Sequence, residues 1–201
     1  MNKIVLASNN IYKIREFREI LSRENIELIP QLKLNIPEVD ETGLSFVENA
    51  ILKARNASLL AKLPSIADDS GIEVDALSGK PGIYSARYAG EDSDDKANNK
   101  LLLEELIGIP LDQRTARYHC TIVYLPFYNH PVPRIYSANW EGYIGIEEEG
   151  DNGFGYDPLF FLPKFNCTAA KLSEKQKNDI SHRGKALKLF KNDFLMKIKS
   201  E

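Results

Sequence analysis

A mixed α/β fold is predicted by three features of this 201-residue chain: short apolar runs alternate with helical patterns, the middle is rich in β character, and an amphipathic segment closes the chain. Lys3 to Ala7 is an apolar run ended by Ser8-Asn9-Asn10, as in a buried strand feeding a loop. Ile11, Ile14, Phe17 and Leu21 then recur at helical spacing, and Ile26 to Ile29 forms a second short strand. Ser45-Phe46-Val47-Glu48 has the spacing of a capping box. It opens a helix whose apolar side carries Phe46, Val47, Ala50, Ile51, Ala54 and Ala57, and Pro64 stops it. Ser65-Ile66-Ala67 starts a strand expected to end at Asp68-Asp69-Ser70-Gly71. Asp94 to Ile107 reads as a helix with Ser93 as its N-cap and Leu102, Leu103 and Leu106 as its core stripe. Arg117 to Leu125 and Arg134 to Glu147 have β character, joined by the proline-rich stretch Pro126 to Pro133, which reads as a hairpin connection. Gly184 to Lys199 is amphipathic through Leu187, Phe190, Phe194 and Ile198.

Composition narrows the function. The chain is 43% hydrophobic and 27% charged, which suits one soluble domain over residues 1–201 large enough to build a core without metal or disulfide staples. A formal charge of −3, from 26 basic and 29 acidic residues, offers no broad basic field for a nucleic-acid polymer. No apolar run approaches the ~20 residues that span a bilayer. The start, Met1-Asn2-Lys3 running straight into a strand pattern, does not read as a signal peptide. Cys120 and Cys167 make neither a disulfide framework nor a metal spacing, as expected in a reducing cytoplasm. An enzyme or a small-molecule binder fits this profile.

Five segments carry candidate chemistry, and each also has a plainer reading. Ser8-Asn9-Asn10 leads into a helix with Lys13 in its first turn; a helix N-terminus suits a phosphate, though the same residues fit a capped helix with a surface lysine. Glu38, Asp40 and Glu41 cluster ahead of Thr42-Gly43, as in an oxygen-ligand site for a hard cation or in a solvated acidic loop. Asp68 and Asp69 at a strand end call for a cation if both are buried and charged; an Asx-rich turn at Gly71 is the alternative. Asn152 to Pro158 alternates glycine with Phe154 and Tyr156, either of which suits stacking on a flat base or capping a core. Ser181-His182-Arg183-Gly184, with Lys177 upstream, offers donors to an oxygen-bearing ligand edge or simply opens a helix.

Taken in order, Ser8-Asn9-Asn10-x-x-Lys13, Glu41-Thr42-Gly43 through Lys53-Ala54, Ala67 to Gly71, Pro81 to Arg87, Gly153 to Pro158 and Ile180 to Gly184 closely resemble the inosine triphosphate pyrophosphatase family, also called Ham1/RdgB-like proteins. The resemblance runs from Lys3 to the last helix. It implies an elongated, two-lobed molecule with a long central mixed sheet and a nucleotide cleft between the lobes, assembled as a homodimer in the cytoplasm. It also implies Mg²⁺-dependent hydrolysis of ITP, dITP and XTP to the monophosphate and pyrophosphate. Carried over by position, Ser8, Asn9, Asn10, Lys13 and Lys53 would hold the triphosphate. Asp69 would orient water and bind metal with Asp40 and Glu41, and Ser70 would touch substrate. Phe154, Gly155, Tyr156, Asp157, Lys177, His182 and Arg183 would form the base and sugar pocket. Asn9 stands where the family carries glycine. Two alternatives stay open: a pyrophosphatase for another modified nucleotide, and a nucleotide sensor without turnover.

Overall fold

A computed structural model describes residues 2–22, 24–91 and 94–198. Within them seven strands form one mixed sheet: β1 (Asn2–Leu6), β2 (Ile26–Pro30), β3 (Ser65–Val74), β4 (Thr115–Leu125), β5 (Arg134–Ile144), β6 (Phe160–Leu162) and β7 (Cys167–Thr168). Their spatial order is β2-β1-β3-β4-β5-β6-β7. Parallel pairing joins β1 to β2 and β3; antiparallel pairing joins β6 to β5 and β7. The helices are α1 (Ile11–Leu21), α2 (Phe46–Ala61), α3 (Asp95–Glu105), α4 (Glu174–Ile180) and α5 (His182–Ile198). None of the described helices is long and apolar enough to cross a membrane.

The chain divides into two compact units. The first comprises Met1–Asp69, Cys120–Ala138 and Arg183–Glu201. Its sheet is covered on both faces, and strand alternation decides which side chain goes where. Ile4, Leu6, Ile66, Cys120 and Ile122 pack with Phe17 and Leu21 of α1 and Leu187 and Phe190 of α5. Val5, Ala7, Ala67, Val123 and Leu125 pack with Ala50, Ala54 and Ala57 of α2. Small alanines let α2 lie close, and the Ser65 hydroxyl donates to its Ala54 carbonyl at 2.7 Å.

The second unit comprises Ser70–His119 and Asn139–His182. Its core gathers Ile72, Val74, Leu102, Leu106, Trp140, Tyr156 and Phe160, with the Tyr118 and Phe160 rings edge to face at 4.7 Å. Arg114, buried at the end of α3, donates to the carbonyls of Leu106, Ile109 and Gly145 and so closes that helix terminus.

Three expectations need correction. β3 does not stop at Asp68: it runs on to Val74, so the Asp-Asp-Ser-Gly segment is extended strand rather than a turn. β1 pairs with β3 only as far as Leu6↔Ile66, and the two aspartates therefore lie just past the carboxyl end of β1. The last helix begins at His182 rather than Gly184, and its predicted final residue Lys199 lies outside the described residues, as does Ser93. Asp94 is the N-cap of α3, its side chain accepting the Ala97 N–H. α4 was not expected; a capping box between Ser173 and Gln176 opens it.

Candidate active site

The strand alternation that builds the first unit also sorts its charges. On β3, Ile66 packs with α1 and α5 and Ala67 with α2, and the two aspartates that follow continue the alternation. Asp68 accordingly meets Lys13 of α1, Nζ to Oδ2 at 3.1 Å, and Arg183 of α5, whose Nε and Nη2 lie 3.2 and 3.1 Å from the same oxygen. Asp69 meets Lys53 of α2, Nζ to Oδ1 at 2.8 Å, and that ammonium also holds Glu41 at 2.7 Å. Glu16, one turn after Lys13, takes the Nη1 of Arg183 at 2.6 Å.

These neighbours push the two aspartates in opposite directions. Burial works against the charge of Asp68, but Lys13, Arg183 and Lys53 outweigh it and hold the carboxyl below its ordinary value of 3.8. Burial raises Asp69; Lys53 pulls it back, and the nearby Glu41 adds to the rise, so its carboxyl titrates above the ordinary value. Burial also opposes the Lys53 ammonium, yet Asp69 and Glu41 keep its pKa raised. Two adjacent carboxylates thus have two characters, one fixed as an anion and one closer to taking a proton.

The loop after β1 is polar but largely self-contained. The Asn10 side chain caps α1 by accepting the N–H groups of Tyr12 and Lys13, and the Ser8 hydroxyl accepts the Asn10 N–H at 3.2 Å. The buried Oδ1 of Asn9 has no hydrogen-bond partner. Asp40 is exposed, whereas Glu41 is drawn in by Lys53. No group of three metal-ligating side chains stands together among the described residues. The Asp69 Oδ2 is buried without a hydrogen-bond partner, an acceptor suited to a hard cation.

In the second unit, Asp157 is the hub. Its Oδ2 accepts the Lys177 ammonium at 2.5 Å and the Phe154 N–H at 2.9 Å. The same ammonium sits 4.7 Å from the centre of the Phe154 ring, a cation–π contact. Gly153 is required here: its φ is +80°, and a Cβ would stand 2.0 Å from Asp157 Oδ2. His182 is buried and stacks on Tyr118 with ring centroids 4.6 Å apart. Ser70, next to Asp69 on β3, is half-buried.

Two expected base contacts are placed otherwise. Tyr156 is a core residue whose hydroxyl donates to the Ser85 carbonyl at 2.8 Å, so its ring is not presented for stacking. Arg183 is buried, and its guanidinium is engaged by Asp68 and Glu16. Glu16 was missed, although its i, i+3 relation to Lys13 was visible in the sequence. Lys171 is exposed and pairs with Glu149.

Because the folded pKa of Asp68 lies below 3.8, its ionised form stabilises the fold above that pH, and this is lost as pH falls through the folded value. Asp68→Asn should cost about 3–5 kcal/mol at neutral pH by leaving buried cations unpaired. Its urea midpoint should also fall less steeply than that of the wild type below pH 3.8, the ordinary value; parallel curves contradict the assignment. At the loop, Gly155 has φ +63° and open space around its Cβ position. Gly155→Ala should therefore cost only the ~1–2 kcal/mol of a left-handed residue, and Gly153→Ala measurably more in the same urea titration. Equal losses would refute the close approach of Asp157.

The chain matches other proteins over nearly its whole length. The sequence profile of the Ham1 family fits residues 4–193. A dITP/XTP pyrophosphatase of Vibrio parahaemolyticus is 52% identical over 188 residues, 94% of each chain. That of Escherichia coli strain K12 is 51% identical over 189 residues, 94% of this chain and 96% of the other. Among solved structures, a HAM1 protein from Coxiella burnetii superposes with a TM-score of 0.91 at 44% identity, covering 98% of this chain and all of the other. With the motifs, the mixed sheet and these relatives in agreement, the chain belongs to the Ham1 family.

Proposed function

We infer that this chain hydrolyses deaminated purine nucleoside triphosphates, ITP, dITP and XTP, to the monophosphate and pyrophosphate, and so cleanses the nucleotide pool. The observation that carries the reading is the charge cluster on β3, Lys13 and Lys53 each set against one of two adjacent aspartates, in a chain about half identical to proteins named dITP/XTP pyrophosphatases.

Charge balance says how a triphosphate enters. Lys13, Lys53 and Arg183 carry three positive charges; Glu16, Glu41, Asp68 and Asp69 carry four negative ones. A ligand with about four negative charges needs a further cation here. Mg²⁺ fits, because it takes one or two carboxylates plus phosphate oxygens and keeps several waters. Glu41 and the partnerless Oδ2 of Asp69 would hold it, Asp40 being exposed. When bound, Mg²⁺ supplies positive charge to the phosphate oxygens. Lys13 and Lys53 then turn from their carboxylates to the departing pyrophosphate. Asp69 would accept a proton from the water it aims at the α-phosphorus. Asp68 stays ionised, keeping Arg183 in place.

At the other end of the nucleotide, Phe154 would stack on the base while Lys177 and backbone N–H groups meet the 6-oxo oxygen, where adenine carries an amino donor. Each mismatched group costs ~1–3 kcal/mol, so two or three suffice to exclude ATP. Loop residues Ser8 to Asn10, with Ser70 and His182, would line the phosphate and sugar. A homodimer in the cytoplasm completes the reading, in keeping with the two free cysteines.

Pyrophosphate release from ITP, XTP, ATP and GTP in Mg²⁺ tests it. ITP and XTP should be cleaved at least ~10²-fold faster than ATP and GTP, the discrimination hydrogen-bond mismatch allows. Asp69→Asn should lower the ITP rate by ~10²–10⁴-fold. Equal cleavage of all four would refute the base pocket. Nucleotide binding without release would make the chain a sensor.

A further inference from the structure

The loop that carries Phe154 is held by a helix that neither the motifs nor the charge cluster involves. Gly155, between Phe154 and Tyr156, has a left-handed φ of +63° with open space at its Cβ position, yet both peptide groups flanking it are bound. Its N–H donates to Asp95 Oδ2 at 2.7 Å, and its carbonyl accepts from Asn99 Nδ2 at 3.2 Å. Asp95 and Asn99 lie four residues apart, on one face of the first turns of α3. Asn99 is 3% exposed and also donates to Glu148 at 2.6 Å, so its amide is itself fixed. On one side of Gly155, Tyr156 is anchored in the core through its hydroxyl. On the other, the Phe154 N–H is held by Asp157, which also holds the Lys177 ammonium beneath the Phe154 ring. The only soft joint between an anchored tyrosine and the exposed side of Phe154 is therefore Gly155, and α3 removes its freedom.

We propose that Asp95 and Asn99 are positioning residues for base selection: they clamp Gly155 so that Phe154 and Lys177 meet the purine in one fixed arrangement. The proposal rests on reading Phe154 and Lys177 as base-facing. A loop ordered before the ligand arrives spends no binding energy on ordering itself and tolerates a mismatched donor poorly. A loosened one binds the right base less tightly and discriminates less. Neither residue touches the reacting phosphate, so the effect falls on KM and on selectivity rather than on turnover.

The experiment compares Asp95→Ala, Asn99→Ala, Asp95→Asn and Asp94→Ala, with kcat and KM measured for ITP and ATP. Asp95→Ala and Asn99→Ala should each raise KM for ITP and cut the ITP-over-ATP ratio of kcat/KM on the order of 10-fold, the weight of one hydrogen bond to a charged or buried group, with kcat nearly unchanged. Asp95→Asn keeps an acceptor for the Gly155 N–H and should restore selectivity. Asp94→Ala removes the N-cap of the same helix without touching Gly155, and should lower Tm while leaving selectivity intact. Hydrogen exchange at the Gly155 amide, read without nucleotide, should accelerate in Asp95→Ala and stay slow in Asp95→Asn. An unchanged ratio in the two alanine variants, or an equal loss in Asp94→Ala, would overturn the proposal and leave α3 as packing alone. If the wild-type chain releases no pyrophosphate from ITP, the reading of the activity fails, whatever the variants do, and the selectivity proposal falls with it.

Discussion

Asp68 and Asp69 are adjacent on a strand buried on both faces, and neither carboxylate can be ionised there without a cation beside it. Strand geometry sends them to opposite sides of the sheet, so one cation cannot serve both as a close partner. Each layer of helix must bring its own: α1 and α5 supply Lys13 and Arg183 to one face, α2 supplies Lys53 to the other. The helices are placed by apolar packing through Phe17, Leu187, Phe190 and the alanines of α2, and the charges ride on that packing. Fold and site in this unit share one periodicity.

The cluster is self-neutralising to within a single charge, and that shapes its chemistry. Cations already satisfied by carboxylates do not collect stray anions. Asp68 and Asp69 also divide their labour by environment. The first, ringed by cations, is pinned as an anion; the second, buried beside Glu41, is closer to accepting a proton. Around Gly155 the second unit uses side chains to hold backbone groups, Asp95 taking the N–H and Asn99 the carbonyl.

Much of this was legible in the sequence because local rules agreed with the tertiary outcome. The Asn10 and Ser45 caps, the alanine stripe of α2 and the apolar run of β1 each signal their element, and Lys13, Lys53, Asp69, Asp157 and Lys177 are all held at charged partners. The misses have physical causes. Asp-Asp-Ser-Gly has the composition of a turn, and only cations 16 to 115 residues away in sequence make it tolerable as strand. Glu174 to Ile180 has no apolar stripe, so its capping box alone marks α4. Asn98 and Asn99 look like a solvated helix face, yet both are buried as backbone clamps, Asn98 accepting the Ala89 N–H and Asn99 holding Gly155. Arg183 reads as a donor for a ligand because nothing local reveals Asp68 and Glu16.

The claim on which the account turns is that this cluster admits a triphosphate only together with a divalent cation. Calorimetric titration with the non-hydrolysable α,β-methylene analogue of ITP, with Mg²⁺ and then with excess chelator, measures it without any turnover. Binding in Mg²⁺ should weaken at least ~10²-fold in chelator, as expected when unscreened carboxylates face a polyanion across a few ångströms. Equal affinity in both conditions would contradict it, and would mean that Lys13 and Lys53 are free to take phosphate without their carboxylates being compensated.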